Sequence, residues 1–194
     1  MPVLAKFGEY NLWLNGCESG VVRVRTKSLL YIAHARLRIA KRFQDVRIRD
    51  VSPLLVHGYS VGVRLLLSYS AAETMGKAIG PHVSEWKIRD DEILPALRRV
   101  GSQLREWDYI LEDKMRKHID EFVRGERDNV RVMATALRHL MAHGHFAPAG
   151  KLSLNKAAMW AIEKLSEDLL QATENRFVAW FEKLSRTTPA KPRR

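Results

Sequence analysis

The chain has 194 residues, 33 Lys and Arg against 22 Asp and Glu for a formal net charge of +11, and one cysteine. That length predicts a single domain able to bury its own core, and 46% hydrophobic with 28% charged residues excludes a disordered chain. Cys17 alone excludes an internal disulfide framework and a four-cysteine zinc site, and no apolar run reaches the roughly 18 residues of a membrane-spanning helix.

The opening stretch MPVLAKFGEYNLWLNG lacks a basic segment followed by an apolar one. No secretion signal is predicted, and the expected compartment is a reducing cytoplasm. Tyr10, Leu12 and Leu14 alternate with Asn11, Trp13 and Asn15, Asn15-Gly16 supplies turn chemistry, and Val22 and Val24 alternate with Arg23 and Arg25. This pattern predicts a small β-hairpin or an extended arm. From Lys27 to Phe43 the period turns helical, with Leu29, Leu30, Ala33, Leu37, Ala40 and Phe43 on one stripe and the arginines mostly off it. Residues 1–50 carry a net charge of +6, residues 51–150 only +1, and residues 151–194 a further +4. An excess of this size at both ends suits a polyanionic partner, nucleic acid foremost.

Asp50 or Ser52, followed by Pro53, starts the next helix, which is apolar on nearly all sides through Val63, Leu65, Tyr69, Ala72 and Met75 and ends near Gly80-Pro81. Asp90 or Asp91 caps a helix with Pro95 in its first turn, which runs on or kinks through Trp107, Ile110, Met115, Ile119 and Phe122 to Gly125. Asp128 is the candidate cap of the following helix, which carries Val130, Met133, Leu137, Leu140 and Met141 and stops at Gly144. Ser153 or Asn155 then opens a long amphipathic helix reaching Leu184. The sum is an all-α bundle with a small β arm. Its organisation is a basic arm and helix over 1–50, a helical domain over 51–184, and a basic tail over 185–194 that is expected to be disordered.

Functional side chains are densest in Arg138-His139-Leu140-Met141-Ala142-His143-Gly144-His145, three histidines and an arginine within eight residues. Three readings stay open. Histidines at a helix C-terminus complement its dipole and its free carbonyls. His139, His143 and His145 have a spacing that can bind zinc, although the zinc-protease pattern needs Glu where this chain has Leu140. Arg138 and His143 can also cleave RNA without a metal. Histidine moves a proton at the 2′-hydroxyl or the leaving oxygen, and the planar fork of arginine holds the charge growing on the phosphate. On an ideal helix the two lie about 140° apart, so they converge only if His143 sits on a fraying last turn, which Gly144 permits. His57 reads as a cap or packing residue, Cys17 has no catalytic partner in the sequence, and neither a Walker loop nor a dinucleotide fingerprint is present.

Arg138-His139-x-x-x-His143-Gly144 resembles the Arg-x4-His signature of HEPN-domain ribonucleases, with His139 in the polar slot after the arginine. Tyr69-Ser70-Ala71-Ala72-Glu73 is similar to the Tyr-x-x-x-Glu of an earlier helix in several HEPN subfamilies, and the Gly-His-Phe-x-Pro after His143 to the loop of some members. The resemblance covers about residues 55–184. It implies a HEPN-like bundle with a four-helix core plus extra helices, a homodimer whose two motifs share one cleft, and RNA cleavage without cofactor or metal that leaves a 2′,3′-cyclic phosphate. It further implies that Arg138 stabilises the scissile phosphate and that His143 is the acid or base. His139 and His145 would support them, and Glu73 would hold Arg138 or His143 from the facing helix. Many such proteins are toxins or antiviral effectors controlled by an antitoxin or a defence complex, whereas others are inactive modules that bind RNA, nucleotide or protein. Arg131 and Lys151 are candidate guides for the RNA backbone. No membrane partner is expected.

Overall fold

Ser52 sets the start of the longest apolar stretch. Its Oγ accepts the Leu55 N–H at 3.3 Å, and Pro53 occupies the first turn, where its missing donor costs nothing. The computed structural model describes residues 3–17, 20–105, 112–143 and 155–188. Its helices are α1 (Val3–Asn15), α2 (Val24–Arg42), α3 (Pro53–Ile79), α4 (Leu94–Leu104), α5 (Asp113–Val123), α6 (Arg131–Ala142) and α7 (Lys156–Thr187), with a 3-10 turn over Val83–Glu85. Every regular element among the described residues is helical. No described helix is long and apolar enough to cross a membrane.

The two long helices α3 and α7 pack on each other and take part in both hydrophobic cores. One core joins Leu65 and Tyr69 of α3 to Leu97 of α4, Phe122 of α5, Met133 and Leu137 of α6 and the first half of α7. The other joins Ala71 and Met75 of α3 to Phe7 and Tyr10 of α1, Leu30 and Leu37 of α2, and Phe177 and Phe181 near the end of α7. Each such side chain contributes about 1.5–3 kcal/mol when fully buried.

Among the described residues there is no hairpin or extended arm at the N-terminus: Val3–Asn15 form the helix α1, and Val24 and Arg25 already belong to α2. Phe7 and Tyr10 are three residues apart and share a face, which docks on α7. The Phe7 ring stacks on Phe177 with centroids 3.8 Å apart, and Tyr10 meets Phe181 edge-on at 5.6 Å. Trp13 Nε1 donates to the Thr188 carbonyl at 3.1 Å. Leu12, which completed the apparent alternation, is 63% exposed, and Val24 opens α2 in solvent. Burial against α7 selects the helical period over the two-residue one.

Two further boundaries differ from the sequence reading. Asp128 does not cap α6; it accepts from Arg98 Nη2 at 2.7 Å. The N-cap is Val130, which makes no side-chain cap hydrogen bond. The neighbouring Asn129 instead ties this corner to the segment after the 3-10 turn, with Oδ1 accepting the N–H of Ile88 at 3.1 Å and of Arg131 at 3.3 Å, and Nδ2 donating to the Trp86 carbonyl at 2.9 Å. α4 and α5 are separate helices, and Trp107 and Ile110 lie outside the described residues. At α7, Asn155 is the cap, accepting the Ala158 N–H at 2.8 Å.

Candidate functional site

The site is built on the facing sides of α3 and α6. Arg131, Thr135 and Arg138 recur at intervals of four and three along α6 and therefore share one stripe. Tyr69 and Glu73 are four apart on α3 and meet that stripe. The Tyr69 ring is buried, with its hydroxyl 3.2 Å from Thr135 Oγ1. The guanidinium of Arg138 lies over that ring, 5.6 Å from its centroid. Arg138 Nη2 is 3.9 Å from Glu73 Oε2, and the other Glu73 oxygen accepts from Lys77 Nζ at 3.2 Å.

The carboxylate that the sequence places opposite the motif thus reaches Arg138. Glu73 is shared with Lys77, and the Arg138 side chain is 39% exposed. A half-exposed pair at this distance is worth about 0–1 kcal/mol. Tyr69 and Glu73 therefore orient the arginine while leaving donors of its fork free for another anion.

His143 terminates α6 with φ −96° and ψ 8°, and its N–H donates to the His139 carbonyl at 3.1 Å. It is exposed, whereas His139 is half-buried. Their rings lie 4.5 Å apart and tilted by 49°. Neither a hydrogen bond nor an ion pair joins Arg138 to His143 among the described residues. His145 and Lys151 lie outside them. Among the described residues no group of three or more His, Cys, Asp or Glu is placed to hold a metal ion; His139 and His143 supply two.

Arg131 is not on the surface, where a guide for the RNA backbone would sit. It is 7% exposed, and its Nη1 donates to Thr135 Oγ1 at 3.1 Å. Burial pushes its pKa below the usual arginine range; Tyr69 opposes that shift, and the nearby Arg127 charge adds to it by less. Across from it on α5 stands His118, whose pKa is lowered chiefly by burial and also by Arg127, Arg131 and Lys114, while Glu121 opposes them. His118 and Lys114 escape a reading that follows only the apolar stripe Met115, Ile119 and Phe122. Their own four-residue spacing along the edge of that stripe was the available signal. Thr135, which links Arg131 to Tyr69, carries no signal a lone threonine would show in sequence.

No family model, curated protein or solved structure matches this chain.

Proposed function

We propose that the protein is a metal-independent endoribonuclease of the HEPN type, with Arg138 and His143 of two protomers meeting in one cleft. The observation that carries this reading is Arg138 held by Tyr69 and Glu73 beside the exposed end of α6, where His139 and His143 stand together. A net charge of +11 supports a polyanionic substrate.

In this mechanism one His143 takes the proton of the 2′-hydroxyl. The 2′-oxygen bonds to phosphorus and the bond from phosphorus to the 5′-oxygen breaks. The His143 of the second protomer, protonated beforehand, gives its proton to that leaving oxygen. The products are a 2′,3′-cyclic phosphate and a 5′-hydroxyl. Arg138 binds the non-bridging oxygens as their charge grows. His139 packs against His143 and limits the positions of its ring. The biological role that goes with this chemistry is that of a toxin or antiviral effector.

Labelled total RNA incubated with the protein in excess EDTA tests the reading. Cleavage is expected to survive EDTA and to fall at least about a hundredfold in His143→Ala and in Arg138→Ala, with the helical circular dichroism unchanged. Cleavage by both variants at the parental rate would remove the site. RNA binding without cleavage in any protein would make the chain an inert HEPN-like module.

A further inference from the structure

Between the first turns of α5 and α6 lies a cleft of about 280 Å3, to which Met115 and Val132 contribute apolar wall. Its walls include Arg131 and Thr135 of α6, Lys114 and His118 of α5, and Ser84 of the 3-10 turn, with Glu112 at the α5 terminus. Arg131 is more than nine-tenths buried, and its Nε is buried with no acceptor among the described residues. No carboxylate pairs with it among the described residues. The adjacent Arg127 is already matched by Glu121, whose Oε2 accepts from both Nε and Nη2 at 3.0 and 2.6 Å.

A buried guanidinium lacking a counter-ion is costly, and such groups in folded proteins are ordinarily paired. An anion in the cleft would supply the counter-charge. Arginine, lysine and histidine together with the hydroxyls of Ser84 and Thr135 make a donor set suited to phosphate oxygens. The volume lies at the small end of ligand clefts, which suits a phosphate with part of its sugar. Arg131 and Arg138 sit on one stripe, about 10 Å apart along the α6 axis. Arg131 donates to the Thr135 hydroxyl, which meets the Tyr69 hydroxyl, and the Tyr69 ring lies beneath Arg138.

We propose that this cleft binds a phosphodiester of the same RNA strand that is cut at Arg138, as a flanking-phosphate subsite. The cleft itself stands on Arg131, while the identity of the strand rests on the ribonuclease reading.

The test follows the His118 ring signals by NMR in the full chain at fixed pH. One arm adds inorganic phosphate, and the other a single-stranded oligoribonucleotide that is fully 2′-O-methylated and cannot be cut. The oligonucleotide is expected to shift the His118 signals at concentrations at least about tenfold below those phosphate requires. Arg131→Met is expected to weaken that binding about tenfold or more, the loss of a charge-assisted hydrogen bond. Lys114→Ala, an exposed position where folding is not at risk, is expected to flatten the salt dependence of log K by about 0.7.

Shifts of equal size in Arg131→Met, or no shift from either ligand, would overturn the cleft. Phosphate binding as tightly as the oligonucleotide would overturn the strand assignment. Cleavage by Arg138→Ala and His143→Ala at the parental rate would remove the ribonuclease reading while leaving the His118 titration to stand or fall by itself.

Discussion

Arg131 and Arg138 are the same residue type on the same helical stripe, yet their surroundings give them different roles. Arg138 is half-exposed, with a tyrosine face beneath it and a shared carboxylate beside it. Arg131 is buried and lacks an anion among the described residues. The sequence singles out both, but exposure is a tertiary property, and the first arginine of an amphipathic helix gives no sign of it. A second buried charge lies on the far side of α3. Lys41 of α2 forms an ion pair with Glu174 of α7, whose side chain is 5% exposed.

Asp168 of α7 shows the same physics with the opposite charge. Burial raises its pKa to about 6, and the adjacent Asp90 carboxylate adds to the shift. The native state therefore holds this proton more tightly than the unfolded chain does. The stabilisation from that proton is complete below the unfolded value of 3.8 and is lost as pH rises through about 6. Asp168→Asn is expected to raise stability by about 1 kcal/mol near pH 7.5, after allowance for solvent screening. That gain corresponds to about 2–4 °C in Tm and should vanish near pH 3. Thermal melts of both proteins at the two pH values check this, and an equal gain at both would exclude Asp168 ionisation as its source.

At the scale of helices, the sequence was legible wherever an apolar stripe ran for several turns between clear stops. Pro53, Pro95 and the cap Asn155 mark starts that the structure reproduces within a residue or two. The first helix was not legible in this way. In Tyr10–Asn15 the two-residue and the helical periods both fit, and the decision comes from Phe177 and Phe181, more than 160 residues away. The cap of α6 failed for a related reason. Asp128 is a plausible cap locally, but Arg98 claims the aspartate, and the helix opens after Val130 without a side-chain cap. If α1 is held by its docked face, Phe7→Ala should cost about 3 kcal/mol, whereas Leu12→Ala should cost less than about 0.5 kcal/mol. Urea unfolding of the two variants separates these values, and equal losses would refute the observed facing.

At the scale of the whole molecule, the site within one protomer consists of an oriented arginine and a separate histidine pair. The proposed composite cleft would need a second copy, and no pattern in a single sequence or chain displays that copy. The HEPN resemblance supplied the expectation of a dimer; within one chain Arg138 lies 3.9 Å from Glu73 and the His139 and His143 rings lie 4.5 Å apart. Mixing the parental protein with an excess of His143→Ala protein tests the composite arrangement. The mixed dimer holds a single His143 and should be inert, so cleavage should fall well below that of the parental protein alone as protomers exchange. Parental cleavage that persists undiminished although protomers exchange would place all catalytic groups within one chain.

α3 contributes to both cores at once. Toward α6 it presents Tyr69 and Glu73, and toward α2 it presents Ala71, Met75 and Thr74, the last accepting from Arg36 Nη1 at 2.6 Å. Two binding events, one on the basic N-terminal helices and one at the arginine cleft, would therefore share a single rigid shaft. Thermodynamic linkage then works in both directions. Under the proposed ribonuclease function, a partner that displaced this shaft from the α2 side would change RNA affinity by some factor, and RNA would change the hold of that partner by the same factor.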